Sequence, residues 1–185
     1  MEAVWMYIGF AAHSEEPGEL LVAKTKSLLE AMRSECPSGV KVVVGGYWGL
    51  MKYVVDKAIE LGFNVIILPP LELEDVSFPE KAIVVKTGVS FRNRSVFLAR
   101  TVDVLVVLGG GAGCIQELIT AYTERKPVYV LVDTGYPTDM VKNWPTYLDS
   151  RRLAPILKYS DPVDLAKAIC RVGETRVSLK SGTEY

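Results

Sequence analysis

The feature that most restricts the fold is a repeated pairing: short β-branched apolar runs alternate with amphipathic stretches. Val4 to Phe10, Val40 to Val44, Asn64 to Leu68, Ala82 to Lys86, Val102 to Leu108 and Pro127 to Asp133 read as strands, with Ile156 to Tyr159 as a short seventh. Most are apolar at successive positions rather than alternate ones, the pattern of strands covered on both faces. Between them, Glu19 to Ser34, Leu50 to Leu61, Arg94 to Thr101, Cys114 to Arg125 and Asp161 to Val172 carry apolar residues at helical spacing. Gly62 stops the second of these, and Asp161-Pro162 starts the last as an N-cap followed by proline. Strand–helix–strand repetition with short connections predicts an α/β, Rossmann-like, doubly wound and mainly parallel sheet of six to seven strands with helices on both faces.

A chain of 185 residues suits one such domain. We expect a single nucleotide-binding domain over residues 1–172 and a polar C-terminal tail over 173–185. The loop from Pro69 to Glu80, acidic and proline-containing, stands apart as a lid or a partner surface.

Composition removes several function classes. Twenty-one basic residues against 22 acidic ones give a formal net charge of −1, so no basic surplus points to nucleic acid or to an anionic membrane. No apolar run approaches the roughly 20 residues of a spanning helix. The single histidine, His13, and three scattered cysteines, Cys36, Cys114 and Cys170, lack metal-site spacing, so no metal centre is expected. An odd number of dispersed cysteines, with no basic start and apolar leader, reads as free thiols in a reducing, cytoplasmic setting.

The chemistry concentrates at Gly109-Gly110-Gly111-Ala112-Gly113, directly after the most apolar strand and directly before a helix. Glycines let backbone amides approach a ligand, and the helix start adds unpaired N–H groups with a partial positive charge. Phosphate is the natural ligand. The run is neither the dinucleotide fingerprint, since Cys114 stands where a glycine is needed, nor a P-loop, since no Lys-Ser or Lys-Thr follows. Gly45-Gly46-Tyr47-Trp48-Gly49 forms a second such turn after the second strand. The two turns would face one sheet edge, and Trp48 either stacks on a flat ring of the ligand or packs the helix start. Glu117, one turn into the helix after the glycines, is placed to hang a carboxylate beside the phosphate. The bland alternatives are a surface ion pair and a carboxylate that merely favours the helix dipole. Cys114 reads as a small packing residue, and His13 either faces the ligand edge or is simply exposed.

Gly45 to Met51, then Arg94, then Gly110-Gly111-x-Gly113-x-x-x-Glu117 resemble the LOG superfamily. It groups cytokinin-activating phosphoribohydrolases, proteins long mislabelled as lysine decarboxylases, and molybdenum-cofactor carrier proteins. The hydrolase signature is similar to P-G-G-x-G-T-x-x-E with a preceding M-x-x-R-K. Here Gly109 replaces the proline, Cys114 the threonine, Phe91 the methionine and Ser95 the lysine. These departures, with Thr87 to Ser95 and Tyr147 to Leu153, look more like the carrier-like branch. The resemblance implies a small phosphorylated ligand, a nucleotide or a molybdopterin-type group, held by Gly45, Gly46, Gly49, Gly110, Gly111, Ala112, Gly113 and Cys114. It implies no required cofactor, Arg94 and Glu117 as the catalytic pair in any hydrolytic member, and a homodimer or higher assembly. The two implied functions are a carrier of a nucleotide or pterin-type cofactor and a hydrolase releasing base and ribose 5-phosphate from a nucleoside 5′-monophosphate. Lysine decarboxylation is not among them.

Overall fold

The computed structural model describes residues 5–180, and side chains up to residue 172. Its seven strands are β1 (Met6–Ala11), β2 (Val40–Val44), β3 (Asn64–Ile67), β4 (Ala82–Val84), β5 (Val104–Val107), β6 (Val128–Leu131) and β7 (Ile156–Tyr159). The α-helices are α1 (Glu19–Glu35), α2 (Gly49–Glu60), α3 (Phe91–Thr101), α4 (Ala112–Thr123) and α5 (Pro162–Lys180). Short 3₁₀ turns cover Leu71–Leu73 and Pro137–Asn143.

One seven-stranded sheet runs in the order β4-β3-β2-β1-β5-β6-β7, and every pairing is parallel. Its central strands are apolar on both faces because both faces are covered. One core packs Ile8, Phe10, Val42, Val44 and Val106 under α1, α2 and α5. The other packs Val43, Leu105, Val107 and Val130 under α3, α4 and the segment around Val141. The strand order turns outward in both directions from β1, which pairs with both β2 and β5. The loops leaving the carboxyl ends of β1 and β5 therefore diverge and open a crevice, the usual ligand position in such sheets.

Three expectations are corrected. The final helix runs through Gly173 to Lys180, into the segment expected to be a tail. No proline interrupts it, and helix propagation adds a hydrogen bond per residue without demanding a core. Helix α3 begins at Phe91, three residues earlier than apolar periodicity suggests, so Arg94 sits a full turn inside it. Ser90, in extended conformation, marks its start. Finally, the expected three free thiols are one. Cys36 and Cys170 form a disulfide with Cα atoms 4.7 Å apart, joining the end of α1 to α5, and only Cys114 is free. The two cysteines lie 134 residues apart, and side-by-side packing of α1 and α5 brings them together. The inference of a reducing compartment loses its premise.

Candidate functional site

The crevice at the switch point is a cleft of about 410 Å³. Four segments wall it: residues 12–15 after β1, Trp48 and Met51 around the start of α2, Phe91, Arg92, Arg94 and Ser95 of α3, and Gly111–Cys114 with Gln116 and Glu117 of α4. A cleft of this size lies in the range of small-molecule sites.

The glycine run after β5 works as its sequence suggests, with a division of labour. Gly109 and Gly110 turn the chain at φ of 119° and 151°, a region other residues rarely enter. Gly110 is then fixed, its N–H donating to Thr138 Oγ1 at 3.1 Å and its carbonyl accepting from the Thr138 N–H at 3.1 Å. A Cβ on Gly110 would lie 2.5 Å from Cys114 Sγ and 3.4 Å from the His13 backbone. Gly111 and Gly113 differ: a Cβ on either meets nothing within 4 Å, because both face open cleft. The first N–H groups of α4, at Ala112 and Gly113, have no intrahelical acceptor and present the positive end of the helix there.

The turn after β2 lies behind the wall. Gly45 is small because the Arg94 guanidinium rests on it, a Cβ there falling 2.0 Å from Nη1. Gly46 makes room for the Trp48 ring, and Gly49, at φ 50°, for the backbone of residues 13–15. None of the three glycines lines the cleft; they let Arg94, Trp48 and the loop after β1 reach it. The two turns thus act in series, one touching the cleft and the other supporting the side chains that do.

Arg94 and Glu117 meet at the bottom. Arg94 Nη1 donates to Glu117 Oε1 at 2.7 Å, and both residues are 6% exposed. Ser95 Oγ donates to the same oxygen at 3.2 Å. The Arg94 Nε–H is buried without an acceptor, a state that costs free energy. Cys114 also reaches the cleft. Burial, and secondarily the Glu117 carboxylate, push its thiol well above the ordinary range, so it is a neutral packing group despite its place in the first turn of α4. Part of the lining is apolar: Trp48 meets Phe91 edge-on with ring centroids 6.2 Å apart, and Met51 also lines the cleft.

Other charged residues near the carboxyl edge of the sheet separate. Arg92 is exposed but lines the mouth. Arg151 pairs with Asp149, and Arg152 lies over the Tyr147 ring; neither reaches the cleft. Asp133 pairs with Lys142 at 2.7 Å. Sequence reasoning missed the roles of Ser95, Phe91, Met51 and Thr138. Only the loop after β1 had a usable signal, since it leaves the strand at the switch point. Among the described residues, no group of three histidine, cysteine or acidic side chains could hold a metal ion. No helix there is long and apolar enough to cross a membrane.

The model of the SLOG cluster4 family matches residues 25–154, most of the chain. The chain belongs to that family. Membership of that family agrees with the LOG-superfamily resemblance carried by the glycine motifs. TM1055, a structural genomics target, is 28% identical, with a TM-score of 0.75 over 91% of this chain and 99% of that one. The molybdenum cofactor carrier protein of Chlamydomonas reinhardtii is 22% identical, with a TM-score of 0.73 over 92% and 99% of the two chains. The molybdenum cofactor binding protein of the phototrophic bacterium Rippkaea orientalis is 19% identical, with a TM-score of 0.72 over 91% and 97%. At those last two identities the likeness is one of fold. A ribose-5-phosphate isomerase of Dictyostelium discoideum is 28% identical over 137 residues, 66% of this chain. The chain spans only 53% of that protein's length.

Proposed function

We propose that the cleft binds a phosphorylated, ring-bearing small molecule, nucleotide-like or of the pterin-cofactor type, and that the chain serves as a binding or carrier protein for it. The observation that carries this reading is that the open α4 N-terminus and the Trp48–Phe91 aromatic pair line one and the same cleft. A phosphate takes the amides at Gly111–Gly113, and a ring lies against the aromatics. The solved carrier and cofactor-binding proteins of the same fold support a cofactor as cargo. A required metal or cofactor, nucleic acid and a membrane are not part of this reading.

Mass spectrometry of small molecules released from the purified protein tests it directly, with a nucleoside monophosphate or a pterin expected. Gly111→Val should weaken binding of AMP, or of the released molecule, in calorimetry while leaving the melting temperature within a few degrees. Equal affinity in the variant removes the loop from the site.

A second reading rests on Glu117. Its Oε1 is engaged by Arg94 and Ser95, which fixes the carboxylate at the cleft floor. A carboxylate so fixed can stabilise an oxocarbenium-like ribose or activate water, the chemistry of an N-ribosyl hydrolase. Chromatographic detection of free base from AMP, reduced at least about 100-fold by Glu117→Gln, is the expected result of that activity. Absence of base release from a panel of nucleoside monophosphates leaves the carrier reading.

A further inference from the structure

The charges that line the cleft cancel. The lining holds Arg92 and Arg94 of α3, Glu15 of the loop after β1 and Glu117 of α4. The buried Arg94–Glu117 pair neutralises itself at 2.7 Å, and Arg92 and Glu15 add one charge of each sign to the lining. Cys114 stays a neutral thiol. One further ionisable side chain lines the cleft, His13. It is the sole histidine of the chain, and histidine is the side chain that ordinarily changes charge near neutral pH.

His13 is also held in place. Its carbonyl accepts from the Leu50 N–H at 2.9 Å, fixing it to the start of α2. Its ring rests tilted against Tyr136, with centroids 4.7 Å apart. Tyr136 in turn is tied by its hydroxyl to the Gly18 N–H at 2.8 Å. The backbone of His13 lies 3.4 Å from the position a Cβ would take on Gly110, so the residue adjoins the turn that presents the α4 amides. Among the described residues, no hydrogen bond engages either imidazole nitrogen. The ring is thus positioned by stacking and backbone contacts, and its nitrogens remain open to a ligand.

We infer that His13 is the charge-setting residue of the anion site: protonated, it gives an otherwise neutral cleft a net positive charge and holds the phosphate more tightly, and neutral, it holds it less tightly. The inference rests on the anion-binding reading of the cleft and adds a pH dependence to it. The coupling is reciprocal: an anion favoured by the protonated imidazole raises the pH at which that imidazole titrates. For a unit charge beside a partly solvated anion, the effect is about tenfold in affinity across the titration, or about one pH unit in the imidazole midpoint.

Sulfate is the clean probe, because it keeps its charge over the range where a phosphate monoester itself titrates near about pH 6. The single imidazole gives one histidine signal in an NMR titration, with no assignment needed. In saturating sulfate its midpoint should rise by about one pH unit, and sulfate affinity should fall about tenfold from about pH 5.5 to about pH 8.5. His13→Asn and His13→Gln should flatten that dependence. If sulfate perturbs the amides of Gly111–Gly113 while the imidazole midpoint stays put, this inference is overturned and the anion site stands. If neither sulfate nor AMP perturbs those amides at any pH, the binding reading falls and this inference with it.

Discussion

Replacing Gly45 by alanine should damage the site from behind. A Cβ at Gly45 would lie 2.0 Å from Arg94 Nη1, 2.3 Å from Cζ and 2.6 Å from Nη2, closer than real atoms approach. The guanidinium ends a flexible side chain and can retreat, but its retreat breaks the buried 2.7 Å hydrogen bond to Glu117. A hydrogen bond between charged groups contributes roughly 1.5–3 kcal/mol, and Glu117 keeps only the Ser95 hydroxyl as partner. Full removal of one partner from a buried pair costs about 3–5 kcal/mol, so displacement should cost less, about 2 kcal/mol. For a chain of this length that lowers Tm by roughly 4–8 °C. Gly111→Ala is the control: its Cβ meets nothing within 4 Å and its φ of −103° suits any residue, so stability should be unchanged. Thermal melts of both variants, with AMP calorimetry on each, decide the matter. Wild-type stability in Gly45→Ala, or equal loss in both variants, would refute the argument that the second glycine turn exists to seat Arg94.

Reducing the Cys36–Cys170 disulfide reopens a 134-residue loop, and the chain-entropy account sets the loss at up to about 5 kcal/mol; urea melts with and without reductant should differ, and coincident curves would show the bond to be thermodynamically idle. The Cys114 thiol, raised by burial, is protonated in the folded chain where the unfolded one ionises, so its contribution to stability is intact below the ordinary thiol range and falls as pH rises through it. Alkylation of Cys114 at mildly alkaline pH should accordingly be slow until denaturant is added, and rapid labelling of the native protein would contradict its burial. On α3 and α4, Val96, Phe97 and Ile119 are exposed, with Phe91 at the cleft edge, an apolar surface that we propose joins two copies. Light scattering should give about twice the 20.4 kDa chain mass, falling toward one chain in Phe97→Glu; a single-chain mass across a dilution series would end that proposal.

Much of the architecture was legible in the sequence because it rests on local rules. Runs apolar at successive positions, such as Val104–Val107, declare burial on both faces, and that requires a parallel sheet between helix layers. Glycines between such a strand and a helix declare a turn at the carboxyl edge, which is why Gly111 and Gly113 could be placed at a site. The family resemblance also proposed Arg94 and Glu117, but not that they form a buried pair, because that contact spans two helices and 22 intervening residues. Only the packing of α3 against the β2 turn revealed why Gly45 is glycine, and only the docking of α1 on α5 joined Cys36 to Cys170. His13 shows the same divide. Its position after β1 followed from the chain, but its brace against Tyr136 and the cancellation of charge around it come from loops that the sheet order alone brings together. A sequence fixes which surfaces each segment must bury, by short-range periodicity; which distant side chains then meet is decided by the relative placement of whole elements, and that is a property of the packed sheet.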